Sequence, residues 1–223
     1  MQKNTFEEGR VLLINKPMDW TSFDVVKKIR NTIRIKKVGH AGTLDPLATG
    51  LLIVCTGKFT KKINEFMARE KEYTGSIVLG AYTITYDLES EPHNFTSVSH
   101  ISPELIWDAT KQFTGEIQQV PPAHSAIKQN GKPVYLLARK GADVVLEPRK
   151  IFIKEFQITG IEMPKVFFKV VCSTGTYIRS LANDFGQALG CGGYLGSLCR
   201  TRIGEFTLDD AITVEEFVKS FTS

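Results

Sequence analysis

Gly39-His40-Ala41-Gly42-Thr43-Leu44-Asp45-Pro46-Leu47-Ala48-Thr49-Gly50 is the stretch of this sequence best suited to chemistry. An ionisable carboxylate, Asp45, sits there among small and apolar residues, on a segment punctuated by glycine and proline and directly before an apolar run. Withdrawing a carboxylate from water is costly unless it is hydrogen-bonded or paired, and such placements are enriched at functional sites. A carboxylate held this way can attack carbon or abstract a proton. The same residue could instead close a turn through its own side chain, as Asp before Pro often does. Composition alone leaves both open.

Other chemistries lack their residues. There is no Rossmann glycine fingerprint, no P-loop and no ligand-spaced His/Cys cluster. The four cysteines, Cys55, Cys172, Cys191 and Cys199, form no C-x-x-C pair and lie in apolar or Gly-rich contexts, so they read as reduced packing residues.

The elements that must position Asp45 follow from periodicity. Arg10 to Asn15 is an apolar run suited to a buried strand and halted by Pro17. Thr21 or Ser22 can cap a helix in which Val25, Val26, Ile29 and Ile33 repeat at helical spacing, with Lys27, Lys28, Arg30 and Arg34 on its other faces. Gly39 to Pro46 breaks every periodicity and is expected to be a loop; Leu51 to Cys55 resumes as a strand. Glu72 to Leu79 reads as a strand, and Ser102 to Phe113 as a helix with a Ser cap and Pro103 in its first turn. Val120 to Lys132 is irregular, Val134 to Lys140 a short helix, and Ile151 to Ile161 with Val166 to Cys172 a strand pair. Thr176 to Leu189 is a helix ended by Gly190, Leu198 to Phe206 a strand, and Val214 to Lys219 a closing helix. His93 to His100 is a flexible surface segment, and Val120 to Gly141 a candidate mobile element. The interspersed elements and hairpin-like pairs favour an α+β fold, with a mixed, mostly antiparallel central sheet flanked by helices and loops.

Size and charge agree with a globular polyanion binder. The 223 residues, 42% hydrophobic and 23% charged, are enough to bury a core. Between Lys27 and Lys71 eleven Lys or Arg face three acids, a surplus of eight in a chain whose net charge is +4, so the remainder is net negative by four. A solvated helical face could carry the same charges. The longest apolar stretch, Gly50 to Cys55, is far too short to span a bilayer, and Met1 to Arg10 is too polar for a signal peptide. A cytoplasmic protein without a membrane partner is expected.

H-A-G-T-L-D-P-L-A-T-G-L-L closely resembles the catalytic motif of the pseudouridine synthases, in the TruB branch that acts on uridine 55 of tRNA. Three more blocks agree in order: N-K-P-M-D-W-T-S at Asn15 to Ser22, C-S-T-G-T-Y-I-R-S-L-A-N-D-F-G at Cys172 to Gly186, and G-C-G-G-Y-L-G-S-L-C-R-T-R-I-G at Gly190 to Gly204. The resemblance implies that Asp45 is the catalytic carboxylate, whether it attacks C1′ or C6 of the nucleotide or abstracts a ribose proton. It implies that Arg179 is the cation that keeps Asp45 ionised, that Tyr177 lies beside the base where a proton must leave C5, and that Tyr73 stacks on the target uracil. His40 enters the space vacated by a flipped nucleotide, and Leu198 contacts the substrate. Arg200 or Arg202 binds phosphate, and Lys16 is a further candidate RNA contact, though with Pro17 it is expected to shape the pocket floor. The basic helix and the Lys58 to Lys71 segment grip the RNA backbone without reading sequence.

The implied reaction gains and loses no atoms or electrons, so no cofactor or metal is expected. The implied partner is the T stem-loop of tRNA, bound by a monomer. Asp19 stands where the family often has Gly. Many bacterial members carry a C-terminal PUA domain, whereas Ser223 closely follows T-V-E-E-F here, so the expectation is a single catalytic domain, 1–223, without one. Two other readings use the same features: an RNA-folding factor, which needs the basic patch but not Asp45, and a base-flipping glycosylase, which needs a positioned water and usually a second acid in a matching motif.

Overall fold

The computed structural model describes residues 2–123, 128–129, 132–133 and 146–221. In chain order the strands are β1 (Val11–Lys16), β2 (Val38–Ala41), β3 (Thr49–Thr56), β4 (Lys71–Leu79), β5 (Gly115–Gln119), β6 (Lys128–Gln129), β7 (Lys132–Pro133), β8 (Arg149–Glu162), β9 (Lys165–Cys172), β10 (Gly193–Ile203), β11 (Phe206–Thr207) and β12 (Ile212–Thr213). The fold is α+β, and its pairings are mixed but mostly antiparallel. Contacts divide the chain into two compact units: Met1–Thr74 with Ser197–Ser223, and Gly75–Gly196.

The first unit is organised around β3, whose residues from Gly50 to Thr56 are all buried. Leu52 and Val54 face one core with Ile14, Val25, Val26, Ile29 and Ile33. Leu51, Ile53 and Cys55 face another with Ala41, Phe66 and Ile203. A strand covered on both sides reads as a continuous apolar run. β1 pairs with β3 antiparallel from Val11↔Cys55 to Lys16↔Gly50. β3 also pairs in parallel with β10 at Thr49 and Gly50, and antiparallel with β2 from Ile53 to Thr56. Gly50 permits this crowding: its φ is +102°, and a Cβ there would lie 2.4 Å from the Arg200 carbonyl oxygen.

The helix Ser22–Ile33 forms as read. Thr21 and Asp24 make a reciprocal capping box, Val25, Val26, Ile29 and Ile33 are buried, and Arg34 closes the helix in the left-handed conformation. The expected Gly39 to Pro46 loop is shorter than its glycines suggest. Gly39 to Ala41 belong to β2, because β3 offers them a pairing edge that local sequence does not reveal. The N-terminal helix Gln2–Glu8, absent from the sequence reading, sets Phe6 into the first core.

In the second unit the strand order is β4-β9-β8-β5, with β8–β9 and β5–β8 antiparallel. Phe113, Phe156, Phe168 and Phe185 form an aromatic cluster, with the Phe156 and Phe185 centroids 5.3 Å apart. Ser102 caps the helix Pro103–Ala109, which tightens into a 3₁₀ turn over Thr110–Phe113. The helix Ile178–Ala188 is followed by Gly190 at φ +71°. β10 begins at Gly193, five residues before the expected strand, and ends at Ile203 ahead of a turn at Gly204. The segment His93 to His100 is largely exposed but tied at the backbone, His93 and Tyr82 exchanging two hydrogen bonds and the Thr96 N–H reaching the Gly80 carbonyl. The expected helix Val134 to Lys140 and most of the candidate mobile element lie outside the described residues.

Candidate active site

Asp45 lies on the connection from β2 to β3, partly exposed, at a place where the backbone is held from several sides. Ser22, buried at the start of its helix, grips Leu44 twice: the Leu44 N–H donates to Ser22 Oγ at 2.9 Å, and the Ser22 hydroxyl donates to the Leu44 carbonyl at 3.2 Å. Arg200, 1% exposed, donates to the carbonyls of Leu51 (2.8 Å), Gly42 (3.0 Å) and Thr43 (3.4 Å). Lys16, fully buried, directs its ammonium at the carbonyls of Trp20 (2.6 Å), Pro17 (2.8 Å) and Pro46 (3.2 Å). The Asp19 N–H also reaches the Pro46 carbonyl, and the Ala48 N–H that of Asp45. Residues 42, 43, 44 and 46 are therefore fixed by side chains from β10, the helix Ser22–Ile33 and β1. A carboxylate on such a segment is pre-positioned, as electrostatic or nucleophilic catalysis requires.

Lys16, expected with Pro17 to shape the pocket floor and offered as a further candidate RNA contact, and Arg200, one of two candidate phosphate ligands, are both buried and spend their donors on carbonyls. They organise the Asp45 loop and present no free cation to RNA. Burial pulls the Lys16 ammonium down to about 8, against the pull of the Asp45 and Asp19 carboxylates. Arg202 is partly exposed, yet it donates to Glu70 (3.0 Å) and Gly204 O (3.0 Å) and faces Glu72 at 3.7 Å, so its charge is largely answered within the protein.

His40 occupies β2 opposite Val54. Burial holds its imidazole below the ordinary value of 6.5, the Arg200 charge acts in the same direction, and hydrogen bonding with the Gly42 backbone opposes them. It is neutral at pH 7, which suits a packing and contact role. Tyr73 is buried on β4, and Leu198 lies on β10, where its carbonyl accepts from Thr49 Oγ1 at 3.4 Å. Lys16, His40, Asp45, Tyr73, Leu198, Arg200 and Arg202 all belong to the first unit.

Tyr177 and Arg179 belong to the second. Gln119, buried at the end of β5, brackets the Tyr177 backbone: its Oε1 accepts the Tyr177 N–H at 2.8 Å and its Nε2 donates to the Tyr177 carbonyl at 3.1 Å. Arg179 is buried, donates to the Thr85 carbonyl at 3.3 Å and lies 3.6 Å from Asp87 Oδ2. Burial pushes the Cys55 thiol up to about 11, in keeping with a packing cysteine. Among the described residues no cluster of His, Cys, Asp and Glu could hold a metal ion.

The profile described as TruB family pseudouridylate synthase (N terminal domain) matches residues 30–178, more than half of the chain. The chain belongs to the TruB family. A second profile, tRNA pseudouridylate synthase B C-terminal domain, matches residues 179–222 of this TruB chain. The tRNA pseudouridine synthase B of Flavobacterium johnsoniae is 50% identical over 227 residues, 99% of each chain. Its namesake in Phocaeicola vulgatus is 50% identical over 218 residues, 95% of this chain and 93% of its own. A chain in a crystal structure of a Cbf5-Nop10-Gar1 complex is 31% identical with a TM-score of 0.76, covering 96% of this chain and 54% of that one. This TruB chain thus spans about half the length of that structure's chain.

Sequence reasoning overlooked three residues. Ser22 was legible only as a possible helix cap, a role Thr21 fills. Gln119 ends β5, a strand the sequence reading did not assign. Asp87 sits in T-Y-D-L-E-S, where neighbouring acids make it look solvated, although it is 4% exposed.

Proposed function

We propose that this chain isomerises uridine to pseudouridine in tRNA, at position 55 of the T loop, with Asp45 as the catalytic carboxylate. The bond between ribose C1′ and N1 breaks, the extruded uracil turns, and C1′ joins C5. C5 gives up its proton and N1 gains one, so no oxidant, reductant or cofactor takes part. The observation that carries the reading is the Asp45 loop itself, whose backbone is clamped by Ser22, Lys16 and Arg200 while the carboxylate stays partly exposed. The names of the relatives support tRNA as the substrate class. The family resemblance supplies the remaining roles: stacking by Tyr73, action near C5 by Tyr177, charge from Arg179, a wedge from His40 and substrate contact from Leu198. The enzyme acts as a cytoplasmic monomer.

The test maps pseudouridine by chemical adduct formation and primer extension, on unmodified tRNA transcripts incubated with the wild type and with Asp45→Asn. A single new stop at position 55, made by the wild type alone, is expected. A stop elsewhere would overturn the position, and an active Asp45→Asn would overturn the catalyst. No stop alongside salt-sensitive binding would favour an RNA-folding factor.

A further inference from the structure

We propose that a groove beside the Asp45 loop, lined by Asp19, Trp20, Asp24, Lys27, Lys28 and Asn31, is a nucleotide subsite that takes a base and phosphate of the substrate RNA outside the reacting uridine. The groove has a volume of about 320 Å³, at the lower end of ligand-sized clefts. Its residues have the composition that single-stranded nucleic acid requires, an aromatic face for a base and cations for the backbone. Trp20 rests part of its surface on the first core and leaves the remainder toward the groove. Lys27 and Lys28 are both exposed on the helix Ser22–Ile33. One oxygen of the Asp24 carboxylate accepts from the Thr21 N–H and hydroxyl in the capping box, and its charge also attracts Lys27, so an incoming phosphate shares Lys27 with Asp24 while Lys28 adds a second cation.

Asp19 adds a second, independent observation. Its φ is +64°, a left-handed conformation that glycine adopts without strain and other residues at a cost. Aspartate is among the few residues that tolerate this conformation, and the turn sets its carboxylate on the groove lining, where it can accept from a base amino group or a ribose hydroxyl. The groove wall is also tied to the catalytic loop: the Asp19 N–H donates to the Pro46 carbonyl at 2.9 Å, and Lys16 joins the Trp20 and Pro46 carbonyls through one ammonium. A nucleotide seated on Trp20 would be registered against Asp45 through one hydrogen-bonded turn. The subsite thereby sets where along the RNA the reacting uridine falls.

The inference rests on RNA being the substrate, and the experiment separates the two. The chain has two tryptophans, Trp20 and Trp107; Trp107 is exposed on the helix Pro103–Ala109. In a Trp107→Phe background Trp20 is the sole tryptophan, and its emission is followed while unmodified tRNA transcript is titrated, with anisotropy of labelled RNA reporting binding independently. Stacking predicts quenching that saturates with the anisotropy. Lys27→Ala/Lys28→Ala should shift both midpoints about tenfold at low salt and lower the slope of log K against log salt by about 1 to 2. Asp19→Gly, which relieves the backbone, should keep the fold and weaken binding a few-fold. Trp20 emission unchanged at saturating RNA, or lysine variants within twofold of the parent, would overturn the subsite while leaving the RNA reading intact. Failure of the parent to bind RNA at all would overturn both.

Discussion

Replacing Ser22 by alanine removes one oxygen atom and, on this structure, two hydrogen bonds on the residue next to Asp45, the carboxylate proposed to be catalytic. The Ser22 hydroxyl both accepts from the Leu44 N–H and donates to its carbonyl, and the residue is 2% exposed, so water does not readily replace either bond. Each is worth about 0.5–1.5 kcal/mol, together about 1–3 kcal/mol. If the loss appears as a smaller fraction of molecules with Asp45 in the reactive position, the single-turnover rate at saturating tRNA falls about 5- to 150-fold. For a chain of this size the same energy lowers Tm by about 2–12 °C. The helix remains capped, because the cap is Thr21. Thr21→Ala is therefore the control: it costs about 1 kcal/mol of stability and leaves the rate alone. The assay is quenched-flow isomerisation, with tRNA affinity measured separately. A Ser22→Ala rate within twofold of wild type would refute the view that this clamp positions Asp45.

Three further outcomes follow from burial and charge. Lys16 binds fewer protons folded than unfolded between about 8 and 10.5, so the stability of the wild type relative to Lys16→Met should rise across that window, by up to about 3 kcal/mol; urea melts giving a flat difference would contradict it. The depressed His40 value means the unfolded chain takes up this proton more readily, so stability relative to His40→Gln should fall as pH drops below 6.5, and the His40 NMR titration should have its midpoint below that value. Asp87→Ala removes the buried carboxylate facing Arg179 and should cost about 3 kcal/mol, with Asp87→Asn recovering part of it in the same melts.

What was readable from sequence had a local cause. Thr21, Asp24 and the Val25, Val26, Ile29, Ile33 spacing define the helix Ser22–Ile33 without reference to anything distant, and Val214–Lys219 appears where its apolar residues lie. What was not readable depended on a partner far along the chain. Gly39 to Ala41 become a strand only because β3 lies beside them. Lys16 and Arg200 announce charge in the sequence, but only the fold shows that their donors end on carbonyls up to 158 residues away. Asp19 was conspicuous as a departure from the family, and its left-handed backbone explains why glycine suits that position. Asp45 stands out as a candidate because its motif is contiguous; Asp87 escaped because what defines it is Arg179, on another element.

The central claim, that Asp45 performs catalysis on a uridine of tRNA, is tested most directly by release of tritium from transcript labelled at uridine C5, comparing wild type with Asp45→Asn at saturating RNA. The account predicts release of about one label per tRNA by the wild type, abolished when the T-loop uridine is replaced, and none from Asp45→Asn despite unchanged binding. Release by Asp45→Asn at the wild-type rate would contradict it.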